Sequence, residues 1–144
     1  MELSKSLTPL KQWYCDYCGD VIKSPEDGML EWDNIELTAS NYRIVHGKWI
    51  GSCRKARNQQ NLSDNHLKHF LGSDGLMNLL THFYRYNLKD ELELIEIIKR
   101  LHIQYYEEGK VLLEANRELE PHLDPYGIGE LYHHDLTYLI GRYK

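Results

Sequence analysis

The chain has 144 residues, of which 42% are hydrophobic, and a formal net charge of −5. That length suits one substantial core or a small module joined to a larger one, and that apolar content excludes a disordered chain. No apolar run approaches the ~20 residues that span a bilayer, and "MELSKSLTPLKQW" lacks the apolar centre of a signal peptide, so the expectation is a soluble, cytoplasmic protein without a membrane partner.

The first informative segment is "WYCDYCGDVI", Trp13 to Ile22, which holds Cys15 and Cys18 of the chain's three cysteines. A disulfide framework would strand the third and is unsuited to a reducing compartment. A redox pair would need the two thiols at the start of a helix inside a βαβ unit. After Cys18 the chain instead runs "GDVIKSPEDGMLEWDNIEL", where Gly19, Pro25, Asp27 and Gly28 punctuate short alternating runs that read as turn, strand, turn, strand. In "LEWDNIEL" the alternation is expected to place Glu31, Asp33 and Glu36 on a solvent-facing side. The next segment, "RIVHGKWIGSC", adds His46 and Cys53.

The C-x2-C-G segment resembles the knuckle of zinc ribbons and treble-clef modules. In such a turn backbone amides face both sulfurs and the glycine lets the chain reverse without steric penalty. From "YCDYCG" through "IVHGKWIGSC" to "LGSDGLMNLL" the chain is similar to small bacterial or phage zinc proteins. The resemblance implies a metal site and no activity. A structural zinc takes four N or S ligands, and the chain supplies Cys15, Cys18, Cys53 and either His46 or one of His66 and His69. His46 is favoured because it lies on the extended, turn-rich part of the chain.

Beyond Leu62 the period becomes helical. "LSDNHLKHFLG" reads as a helix capped by Ser63 and ended by Gly72, and Ser73 caps the next one, "DGLMNLLTHFYRY". "LKDELELIEIIKRL" is the expected central helix. "QYYEEGKVLLEANREL" comes next after a turn, weakened by Gly109 by about 1 kcal/mol relative to alanine. The last helix lies in "GELYHHDLTYLIGRY". The expected fold class is therefore α+β: a zinc-bound β module at residues 10–60 packed on a bundle of about five helices at 61–144.

Charge is unevenly placed. No acidic residue lies between Glu36 and Asp64, whereas Arg43, Lys48, Arg54, Lys55 and Arg57 fall there; from Asp90 to Glu130 eleven carboxylates face four Lys or Arg. A basic zinc face and an acidic bundle are the expectation. The functional expectation is a zinc-stabilised binding or adaptor protein acting on another protein. The alternative is a nucleic-acid-binding regulator whose basic zinc face contacts phosphates. A helix-turn-helix version is disfavoured, because Glu107, Glu108, Glu114, Glu118 and Glu120 would repel phosphate. A second alternative is a small metal-dependent nuclease, although no convincing His and Asn come after "IVHG", and the chain carries no G-x-S-x-G, P-loop or H-E-x-x-H.

Overall fold

The computed structural model describes residues 6–50, Cys53 and residues 61–144. Among them the fold is mixed α+β, with two sheets and four α-helices. A short hairpin pairs β1 (Trp13–Tyr14) with β2 (Val21–Ile22) in antiparallel register, Trp13 opposite Ile22. The main sheet is built from β3 (Gly28–Ile35), β4 (Thr38–His46), β5 (Leu62–His66) and β6 (Asn87–Leu88), in the order β5-β3-β4-β6. β3 and β4 form an antiparallel hairpin, and β6 joins β4 in parallel. The helices are α1 (Gly72–Arg85), α2 (Glu91–His102), α3 (Tyr106–Ala115) and α4 (His133–Tyr143).

Three local expectations are corrected. Leu62–His66 is a strand and not a capped helix, and Leu67–Phe70 is a 3-10 turn. β3 is a central strand whose second edge must be paired, and β5 supplies that pairing, with Trp32 opposite Ser63. The Ser63 hydroxyl accepts from Asn34 Nδ2 at 3.1 Å, from within the strand and not at a helix start. Gly72 opens α1 at φ +70° where it was expected to close a helix. Finally, Glu31 is fully buried. The first five residues of β3 are all buried, because both faces of this central strand are covered, and alternation then no longer separates inside from outside.

Two apolar clusters result. The larger joins the hairpin, the main sheet and the first two helices through Trp13, Ile22, Leu30, Ile44, Leu79 and Leu94, and it includes Cys15 and Cys53. The smaller packs α3 against α4 through Tyr106, Leu113, Leu136 and Leu139. α2 begins at Asp90, whose carboxylate accepts from Leu92 N at 3.0 Å, and it buries Leu94, Ile97 and Leu101 against the sheet-side cluster. No helix among the described residues is long and apolar enough to cross a membrane.

Candidate metal centre

The β1–β2 connection is the tight turn that the cysteine spacing suggests. Cys15 N donates to Asp20 O and Gly19 N donates to Cys15 O, both at 2.9 Å. Gly19 adopts φ +82°, a conformation that L side chains rarely adopt. Between the two cysteines, Asp16 N donates to Ile44 O and Asp16 Oδ2 accepts from Ile44 N, each at 2.8 Å. This pair of bonds fixes the knuckle to β4 two residues before that strand ends at His46.

The consequence is a convergence of four donors. One ligand atom each from Cys15, Cys18, His46 and Cys53 lies within 4.8 Å of all the others. Cys15, His46 and Cys53 are buried, and Cys18 is exposed. None of the three cysteines is in a disulfide. The imidazole orientation is decided by the backbone: His46 Nε2 lies 3.2 Å from Val21 O, and a carbonyl can only accept, so Nε2 carries the proton. Nδ1 thereby presents its lone pair to Cys18 Sγ at 3.4 Å and Cys53 Sγ at 3.7 Å. Metal-bound histidines are oriented by the same kind of outer hydrogen bond. His46 N also donates to Cys15 Sγ at 3.4 Å.

The sulfurs influence one another. Burial pushes the Cys15 thiol up, but backbone N–H donors from Cys18, His46 and Tyr17 outweigh it and bring the group down to about 7. Burial pushes Cys53 up to about 12, reinforced by hydrogen bonding to Cys18 and by the negative charge that Cys15 and Cys18 would carry. Three thiolates packed together repel, and a divalent cation among them would offset that repulsion. The group could hold a metal ion.

His66 and His69, the other candidates for the fourth position, are not members of this group. Their rings meet edge to face with centroids 5.9 Å apart, and the His66 ring lies 5.1 Å from that of Trp49. Of the five basic residues, Arg43 contacts Glu31 at 3.2 Å and Asp33 at 3.3 Å, and Lys48 contacts Asp64 at 2.7 Å. Arg54, Lys55 and Arg57 lie outside the described residues.

Sequence reasoning gave no role to Arg100, which braces the knuckle from α2. Its guanidinium donates to Asp16 Oδ2, to both oxygens of Glu107 and to Tyr14 O, while its own carbonyl accepts from Trp13 Nε1. No motif marks such a residue, because its partners on the knuckle, Trp13, Tyr14 and Asp16, are more than 80 residues away. No family model, no curated protein and no solved structure matches the chain.

Proposed function

We propose that the protein is a zinc-stabilised adaptor, whose Cys15, Cys18, His46 and Cys53 hold one structural zinc and whose surface binds another protein. The orientation of His46 supports the metal reading most directly, since its Nε2–H bond to Val21 O aims Nδ1 at the sulfurs. Thiolate and imidazole donors suit zinc among divalent metals, and four protein donors complete a tetrahedral shell, which is the structural pattern rather than the catalytic one. Such a metal adds folding free energy to a module whose strands are short. The adaptor reading is favoured over nucleic-acid binding because Arg43 and Lys48 are engaged by carboxylates and do not face solvent unpaired.

Elemental analysis of the purified protein is expected to give about one zinc per chain, and a chelator is expected to lower the melting temperature. Zinc far below that ratio, or a melt indifferent to chelation, would overturn the metal reading. Affinity capture from the native host is expected to retain a protein with the wild-type chain and to lose it with Cys18→Ser. Tight binding of a short duplex that weakens steeply with salt would instead establish the nucleic-acid reading, because phosphate contacts release counterions.

A further inference from the structure

α1 carries an apolar stripe on the side away from the core. Its buried residues Gly75, Leu79 and His82 face inward, while Met77, Leu80 and Tyr84 are 65%, 41% and 91% exposed. At 100° per residue, Met77 and Tyr84 lie about 20° apart around the axis, with Leu80 beside them. Exposed large apolar groups arranged in a continuous stripe mark a contact surface.

The charges beside the stripe indicate what covers it. Asp74 and Arg85 are exposed, and neither makes an ion pair among the described residues. They are equidistant from the helix midpoint between Leu79 and Leu80, about 8 Å to either side, and they fall on the same flank of the stripe, about 20° apart around the axis. A two-fold axis level with that midpoint, perpendicular to the helix, brings Asp74 of one copy level with Arg85 of the other, and does so twice. It also places Met77 between Leu80 and Tyr84 of the partner copy, with the two Leu80 side chains meeting near the axis. An isologous contact requires one patch to be complementary to itself, and the placement of Asp74 and Arg85 about the midpoint meets that requirement in charge.

We propose that α1 pairs antiparallel with α1 of a second copy of this chain, through Met77, Leu80 and Tyr84 flanked by reciprocal Asp74–Arg85 ion pairs. The β3–β4 hairpin tip lies just beyond the C-terminal end of α1, where Leu37 O accepts from Asn87 N at 2.9 Å, and its Ile35 and Leu37 are exposed. Two helices of this length bury less than the ~800 Å² per partner of a standard interface, so the contact is expected to be weak and concentration-dependent. This pairing goes beyond the adaptor function and does not depend on the metal.

Sedimentation velocity of the full chain tests it. At ~100 µM the protein is expected to sediment at twice its 17.1 kDa chain mass and to dissociate on dilution. Leu80→Glu, which sets like charges face to face at the axis, is expected to weaken association at least roughly tenfold. Asp74→Arg and Arg85→Asp are each expected to weaken it, and the two together to restore it, because the reversed pair is again complementary. All these positions are exposed, so the fold is retained, and far-UV circular dichroism checks this. A monomer at that concentration, a dimer indifferent to Leu80→Glu, or a double variant as weak as the singles would each overturn the proposal.

Discussion

Arg100 reaches Asp16 at 2.6 Å across 84 residues of sequence, so a helix in the second half of the chain holds the turn between Cys15 and Cys18. Burial works against the guanidinium's charge, but Glu107 and Asp16 outweigh it and keep the group protonated. Glu107 accepts two bonds from Arg100, at 2.7 and 2.9 Å, and a third from Tyr14 N at 3.0 Å. The knuckle, α2 and α3 thus share one charged network.

Replacing Arg100 by Met is therefore expected to cost about 3 kcal/mol in urea unfolding, since Glu107 would remain largely buried without its counter-ion. Lys is expected to recover little, because an ammonium cannot reproduce the forked contact with Glu107 and Asp16. Recovery of full stability by Lys would show that charge alone matters at this position.

The ligand set is checked by cobalt substitution. With four donors arranged around the ion, cobalt(II) is expected to give an intense tetrahedral visible spectrum with thiolate charge transfer. His46→Ala should change that spectrum and weaken the metal at least roughly tenfold, by comparison with losses seen for outer-shell partners alone. His66→Ala and His69→Ala should leave both unchanged. A spectrum that responds to His69 and ignores His46 would reassign the fourth ligand.

A third expectation concerns acid. His82 is buried among Trp32, Tyr42, Phe70 and Tyr86, and its Nδ1 lies 2.9 Å from Tyr42 OH. Burial, with the positive charge of Arg85 as a smaller cause, lowers its pKa from 6.5 to about 4. A base whose folded pKa is depressed is protonated first in the unfolded state. Its stabilisation is present above pH 6.5 and is lost as pH falls towards 4, by about 3 kcal/mol at most. His82→Gln keeps a hydrogen-bonding group and removes the titration. Its unfolding free energy should fall less between pH 6.5 and 4 than that of wild type; equal slopes would show that His82 does not contribute.

The clustering of Cys15, Cys18, His46 and Cys53, a group that could hold a metal ion, was legible in the sequence because the turn that starts it is specified locally. Cys15, Cys18 and Gly19 specify their own turn, and His46 ends a strand that pairing brings back to that turn. Where burial on two faces or long-range charge decided the outcome, reading by period failed. Glu31 is buried because β3 is covered on both sides, and it meets Arg43 of β4 there. The Leu62–His66 strand is five residues long, too short for periodicity to separate strand from helix, and the demand of β3 for a neighbour settled it. Arg100 carried no local signal, since each of its knuckle partners is more than 80 residues away.

Gly109 shows the same difference between local and tertiary reading, and it sets two effects of opposite sign against each other. Considered alone, a glycine inside α3 weakens the helix, and Gly109→Ala should stabilise it by about 1 kcal/mol. In the fold, however, a Cβ at position 109 would lie 2.6 Å from Leu136 Cδ2 of α4. Leu136 is fully buried in the smaller cluster with Tyr106, Leu113 and Leu139, so it has little freedom to withdraw. Overpacking of this kind costs about 1–3 kcal/mol, more than the helix gains. Gly109→Ala is thus expected to destabilise the protein by about 1 kcal/mol net, read from urea or thermal unfolding. In a Leu136→Ala background the obstructing atoms are gone, and the same substitution should become stabilising. That change of sign separates close packing from propensity: if Gly109→Ala stabilises both backgrounds alike, the approach of α4 does not require the glycine.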